Sequence, residues 1–428
     1  MKIELDFGRD GLTLTLPEGA RPTIIRKPAM DLPADPHAAI AAALDAPIAT
    51  GLEVADGART ACILICDITR PVPNHLFLRP LIQRLMAAGV PATGITVLVA
   101  TGLHRPNLGE ELAELIGDPW VQETVRVVNH DARTDEMVHL GTTPTHACPV
   151  GINRIFAEAD VKIATGLVEP HFMAGYSGGR KVIAPGVAHH ETIRTFHSAR
   201  FMEHPLATSC NLAGNPLHET QLEILERLSG PILALNTVLD DQRNLAFVSF
   251  GDIVESHMAA VDFARASCEV TVGRRFKTVV TSSAGYPLDK TYYQTVKGMV
   301  TPLGVLAEGG TLIIASECSE GLGSPEFRAA QERLVALGPD RFLETLTAKT
   351  LADIDEWQTE MQLKPMRTGQ IRLFSPALAA DHAVTGVGQT RDLTQAVADA
   401  IAQHGDPDIA VIPEGPYVVP FSTGPQGG

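Results

Sequence analysis

Four short stretches hold residues whose types and spacing suit chemistry better than packing. The densest is GLVEPHFMAGYSGGRKVIAPGVAHHETIRTFH, residues 166–197, with His171 behind a proline, Arg180 and Lys181 closing a glycine-rich turn, and His197 at its end. His104 in ATGLHRP and His171 in VEPHF each follow a strand-like run, with Pro106 two residues after the first and Pro170 directly before the second. Imidazoles titrate near neutral pH, so two of them flanking one carbon suit acid and base work on both of its faces. Asp67-Ile68-Thr69-Arg70-Pro71 places an acceptor, a hydroxyl and a guanidinium within four residues. A guanidinium aimed into a cleft binds a carboxylate or phosphate bidentately, whereas Asp or Thr there also suits capping of the next helix. Backbone N–H groups of Gly178-Gly179 suit a phosphate, with Lys181 as its electrostatic ligand or as a covalent attachment point; a surface turn is the plain alternative. Gln294 and Lys297 in YYQTVKGM are three apart and share a helical face. The strand end and loop before them make them anion-binding candidates.

Several familiar sites are excluded by spacing. Lys181 follows Arg180 and precedes Val182, which is not the GxxxxGK[ST] of a phosphate loop, and no GxGxxG is present in the turn. His189-His190-Glu191 lacks the second histidine of HExxH, because Arg194 stands there. His190 and His197 lie seven apart on one helical face, too few ligands for a metal unless a cofactor brings the rest. The other histidines, among them His130, His139, His146, His204, His218 and His257, are expected mostly at the surface. The six cysteines are scattered without CxxC, the pattern of reduced and mostly buried thiols.

The elements that must position these residues follow from hydrophobic patterning. Runs at 61–67, 95–102, 125–130, 161–168, 231–240 and 245–250 are short and nearly continuously apolar, as in strands buried on both faces of a parallel sheet. Helical stretches such as HLFLRPLIQRLMAAGV alternate with them, which argues a doubly wound α/β architecture. The pattern restarts with FKTVVTSS, a helix-like KTYYQTVKGMVTPLGVLAEGG, then TLIIASEC, IRLFSPAL and DIAVIPEG. The expectation is two domains, 1–270 for cofactor binding and catalysis and 271–428 for substrate contact. Each has a largely parallel sheet flanked by helices, and the active site lies in the cleft between them. Ligands of open α/β sheets bind beyond the carboxyl ends of the strands, where Asp67–Arg70, His104 and His171 all fall. The amphipathic DIVESHMAAVDFARASC would bridge the halves, and the last eight residues, FSTGPQGG, read as a frayed tail.

Composition narrows the class. Apolar residues make up 45%, charged residues 20% and aromatics 5%, as in a globular chain with layered aliphatic packing. A formal charge of −16 argues against nucleic acid as a partner. The opening MKIELDFGRD has no apolar signal core, and no apolar run reaches the ~18–20 residues of a membrane span. A cytoplasmic protein is expected.

Taken together, DxTRPxP, ATGxHR, EPHFxAGxSGGRK and the downstream HS at 197–198 resemble, in order, the nickel-dependent lactate racemase family of α-hydroxyacid racemases and epimerases. The resemblance implies a nickel-pincer nucleotide, Ni(II)-pyridinium-3,5-bisthiocarboxylate mononucleotide, bonded to Lys181 as a thioamide. It implies His197 as the nickel ligand, with two cofactor sulfurs and a pyridinium carbon completing the square plane. His104 and His171 match the catalytic pair; Asp67, Ile68, Thr69 and Arg70 match the loop contacting the cofactor; Arg70, Gln294 and Lys297 match substrate binding. Trp357 in DEWQ stands where the family carries an active-site tryptophan. The implied reaction removes the α-hydroxyl proton by one histidine while the α-carbon hydride passes to the pyridinium carbon. The planar 2-keto acid reorients and is reduced on its other face. The implied partners are a small 2-hydroxy acid and the accessory enzymes that build the cofactor. An NAD-dependent dehydrogenase, a metal hydrolase and a non-catalytic nucleotide carrier are the alternatives, and the missing GxGxxG and HExxH count against the first two.

Overall fold

The computed structural model describes residues 1–423; GPQGG, the end of the expected tail, lies outside them. One six-stranded sheet runs, edge to edge, Leu245–Asp252, Ile232–Leu239, Val161–Leu167, Ala61–Cys66, Ile95–Ala100 and Arg126–Asn129. Every neighbouring pair is parallel except the Leu245–Asp252 edge. The strands stand where the apolar runs predicted them, because both faces are covered. Ile63, Ile65, Val97 and Val99 pack with Leu78, Leu81, Ile82 and Leu85 of the helix Asn74–Ala87. Each such aliphatic side chain contributes about 2 kcal/mol on burial.

The other six-stranded sheet is parallel throughout, in the order Gly388–Thr390, Gly369–Phe374, Leu306–Ala315, Phe276–Ser282, Asp408–Ile412, Arg21–Ile24. Three details depart from expectation. The helix-like stretch after residue 290 is a helix only over Tyr292–Val300; a short turn containing Pro302, which lacks an N–H, follows, and Leu306 already begins a strand. The tail is not frayed at its start, because Val419–Ser422 pairs in parallel with Glu269–Val272. The amino-terminal residues also belong with the carboxyl-terminal half.

Contacts divide the chain into a first unit, Ala29–Phe196 with Pro205–Ser267, and a second unit, Met1–Pro28, His197–His204 and the chain from Cys268 onward. The expected continuous block 1–270 is therefore crossed twice. The first crossing has a clear cause: Arg21–Ile24 adds to the edge of Asp408–Ile412, and Ile3, Leu5, Leu14 and Leu16 share a core with Val397, Ile409 and Val411. The second is the eight-residue excursion His197–His204, where Ala199 packs with Leu334, Phe342, Leu346 and Leu363. Each unit is thus an α/β layer structure with a largely parallel sheet.

Candidate active site

In the first unit the chain steps from Ala61–Cys66 outward to one sheet edge and, from Val161–Leu167, outward to the other. The carboxyl ends of these two neighbouring strands therefore form the topological switch point, where open α/β sheets bind ligands. Arg70, just past the first strand, forms an ion pair with Glu169, just past the second. The Asp67 carboxylate accepts a 2.6 Å hydrogen bond from Nδ1 of His104, and its other oxygen accepts the Thr69 hydroxyl. Burial pushes the Asp67 carboxyl upward, but His104, Thr69 and Arg70 outweigh it and hold the group below its ordinary value. With Nδ1–H committed to a carboxylate, the neutral His104 ring carries its lone pair on Nε2. The capping role open to Asp67 and Thr69 is not taken, since the following helix has Pro73 at its amino end and no side-chain cap.

His171 lies on a two-residue ladder, Pro170–His171 against Gly175–Tyr176. Its Nδ1 faces the N–H groups of Met173 at 3.3 Å and Ala174 at 3.1 Å, so the neutral ring carries its proton on Nε2. The two imidazoles are thus opposite tautomers.

The turn before Lys181 demands glycine. Gly178 has φ +75° and Gly179 φ +47°, and a Cβ on Gly179 would meet the His257 ring at 2.7 Å. The N–H of Gly179 donates to Asn236 Oδ1 at 3.0 Å, so it is already used within the fold and does not cradle a phosphate. Lys181 is half-buried on the one-turn helix Arg180–Ile183. Its amine is pulled down to about 7, first by burial and then by the charges of Arg70 and Arg180, with Cys66 and Glu169 pulling the other way. At neutral pH such an amine is neutral about 10³ times more often than an ordinary lysine. The adjacent Cys66 thiol is pushed up to about 11 by burial and Asp67, which leaves Lys181 as the nucleophile of this crevice.

His197, Gln294 and Lys297 belong to the second unit. Gln294 and Lys297 are both half-buried on Tyr292–Val300, as their spacing predicted, and Gln294 Oε1 is buried without a partner. Tyr293 on this helix accepts a 3.3 Å hydrogen bond from Trp357 Nε1, and the Trp357 ring lies 4.7 Å from that of His197. Trp357 is the second residue of the helix Glu356–Thr368, nearly all of whose first nine residues are buried although most are polar. One turn along it, Glu360 is pushed up to about 8 by burial and by Glu203 and Glu356, against Lys364 and Arg367. The raised folded value means that stability is fully present below the ordinary 4.5 and is lost as pH rises through 8. Glu360→Gln, which cannot ionise, should therefore gain on the natural protein by a few kcal/mol between pH 5 and pH 9. Melting curves of both proteins at the two pH values test this, and a constant difference between them would refute it.

Residue typing missed several participants. His130 and His257 are buried exceptions among the histidines expected mostly at the surface: the first bonds Asn153 and the second packs on Arg180. Arg180, Glu169, Asn236 and Tyr293 were not singled out as site residues. Only Arg180 carried a usable signal, a second cation beside the lysine of a glycine turn.

The doubly wound α/β unit carries Lys181, the Asp67–His104 hydrogen bond and His171 beyond the carboxyl ends of its strands, and the comparisons place the chain within a known group. The Lactate racemase N-terminal domain model matches residues 7–209 and the Lactate racemase C-terminal domain model residues 273–419. The chain belongs to the lactate racemase family. The lactate racemase of Thermoanaerobacterium thermosaccharolyticum is 30% identical over 97% of this chain and 98% of its own length. That of Lactiplantibacillus plantarum is 31% identical over 88% of this chain and 89% of its own. The apoprotein structure of the T. thermosaccharolyticum enzyme superposes with a TM-score of 0.90 at 28% identity, covering 98% of this chain and all of that one. A Thermotoga maritima protein shares the fold at 17% identity, with a TM-score of 0.61 over 86% of this chain and 97% of that one.

Proposed function

We propose that the protein is a cytoplasmic racemase of a small 2-hydroxy acid, with lactate as the first substrate, and that it works with a nickel-pincer nucleotide covalently held at Lys181. The observation that carries this reading is Lys181 itself: a half-buried amine near neutrality at the switch-point crevice, within reach of the charges of Arg70 and of Cys66, the residue before the Asp67 that holds His104. When bound, the cofactor supplies a hydride acceptor for the α carbon. His197 is the candidate nickel ligand. Among the described residues no three His, Cys, Asp or Glu side chains group to hold a metal, so a metal at His197 needs donors from the cofactor, and soft sulfur suits Ni(II).

The chain's own residues then divide the work. His104, its Nδ1–H fixed on Asp67, accepts the α-hydroxyl proton at Nε2, and the resulting imidazolium stays paired with the carboxylate. His171 is the candidate acid and base on the other face: as an imidazolium it gives its Nε2 proton to the substrate oxygen and returns to the neutral ring, and the opposite enantiomer runs the same transfers in reverse. Arg70 and Lys297 supply positive charge for the substrate carboxylate. The unpartnered Gln294 Oε1 is an acceptor that a hydroxyl would satisfy. The accessory enzymes that build the cofactor are the required partners.

The test is protein co-produced with those enzymes, given pure D- or L-lactate and followed by chiral chromatography. Convergence of both to an equal mixture, with about one nickel per chain, is expected. An adduct with turnover only of longer hydroxy acids would move the substrate and keep the chemistry. Absence of adduct, nickel and racemisation, beside a loaded family member, would sink the reading.

A further inference from the structure

Asn215 is fully buried and uses every polar atom of its side chain. Its Oδ1 accepts from the backbone N–H of Leu217 at 3.0 Å and of His218 at 3.4 Å, which caps the helix Pro216–Leu225. Its Nδ2 donates to the carbonyls of Met173 at 2.9 Å and Asn211 at 3.0 Å. Donors on two carbonyls and an acceptor on two N–H groups fix which way the amide points. Capping needs only an acceptor, so serine or aspartate would serve that helix about as well. The donors are what asparagine adds, and one of them goes to the loop that carries His171.

Met173 C=O and Ala174 N–H belong to one trans peptide and point in opposite directions. Asn215 holds the oxygen at one end of this unit. The N–H at its other end donates to His171 Nδ1 at 3.1 Å, beside the Met173 N–H at 3.3 Å. Rotation of the peptide would therefore break the bonds at both ends together. A hydrogen bond to the carbonyl also polarises the unit and strengthens its N–H as a donor. The rest of the hairpin is anchored separately: Arg180 Nη2 donates to Ala174 O at 3.1 Å, and the Cys210 N–H to Gly175 O at 3.0 Å. We propose that Asn215 is a positioning residue for His171: through the Met173–Ala174 peptide it holds an N–H against Nδ1 and so keeps the neutral ring's proton on Nε2. The use of this in catalysis rests on the reading of His171 as acid and base; the tautomer itself can be measured without cofactor or substrate.

The experiment records nitrogen–proton NMR correlations of isotope-labelled histidine rings in cofactor-free protein at about pH 9, above the ordinary histidine range. The His171 signals are assigned by their loss in His171→Gln. In the natural protein the His171 ring should carry its proton on Nε2. Asn215→Ser keeps an acceptor for the cap and removes both amide donors. It should lower the ratio of the Nε2–H to the Nδ1–H ring about three- to tenfold, the effect of one hydrogen bond. An unchanged ratio in Asn215→Ser overturns the proposal, and so does a natural ring protonated on Nδ1. If Asn215→Ser does not fold, Asn215→Asp, which also keeps the cap without the donors, is read in the same way. Failure of both to fold makes Asn215 structural alone and overturns the proposal. An Asn215-dependent tautomer in a protein that carries its cofactor and racemises no hydroxy acid refutes the acid–base reading of His171 and leaves this inference standing.

Discussion

Lys181→Ala is expected to abolish both the cofactor adduct and turnover, a loss of at least about 10³-fold, while the protein remains folded. The argument is chemical. Covalent attachment needs a neutral amine, and burial, Arg70 and Arg180 bring the half-buried Lys181 to about 7. Alanine leaves the turn intact, because the turn depends on the positive φ of Gly178 and Gly179 and on the Gly179–Asn236 hydrogen bond, not on the lysine side chain. Removal of a half-buried cation close to two others also relieves repulsion. The variant should therefore melt within a few degrees of the natural protein. Intact mass of both proteins, co-produced with the cofactor-building enzymes, reads the adduct, and chiral analysis of lactate reads turnover. A Lys181→Ala protein that still gains the adduct mass would place the attachment elsewhere.

Asp67→Asn carries the second large effect, a fall in kcat on the order of 10²–10⁴ with the substrate KM changed far less. The carboxylate accepts from Nδ1 of His104 and so places the ring's lone pair on Nε2. An amide that turns its NH2 toward Nδ1 reverses the tautomer and leaves Nε2 protonated, unable to take the hydroxyl proton. It also removes the negative charge that stabilises the imidazolium once formed. Asp67 is buried and its shape is kept in the amide, so the fold should hold. Turnover measured from both enantiomers against pH is the test. An unchanged rate and pH profile would remove Asp67 from the proton-handling path.

Both predictions rest on residues that could be found without coordinates. Ile63, Val97, Ile163 and their neighbours announced a sheet buried on both faces, since apolar runs of that length have no other economical use in a chain of this composition. Glycine at 178 and 179 and proline at 170 marked turns at strand ends, where α/β sheets bind ligands. Backbone geometry is local, and local residues specify it. The spacing of Gln294 and Lys297 on one face of a helix was equally legible, because a helix repeats within a few residues.

What tertiary structure decided is whatever joins residues far apart in the chain. Nothing near Arg21–Ile24 reveals that it closes the edge of the second sheet beside Asp408–Ile412; that pairing exists because an unpaired strand edge needs a neighbour, and the partner comes almost four hundred residues later. His197 was expected to remain with the elements around it and instead crosses to the second unit, where Trp357 packs on its ring. The tautomers of His104 and His171 depend on one carboxylate and two backbone N–H groups that only folding aims. Charge on Lys181 is the sharpest case. The sequence alone determined that a lysine follows an arginine in a glycine turn; burial decided that at neutral pH the arginine keeps its proton while the lysine is brought to the point of losing it, because the cost of a charge depends on the dielectric around it, and the dielectric is made by the whole fold.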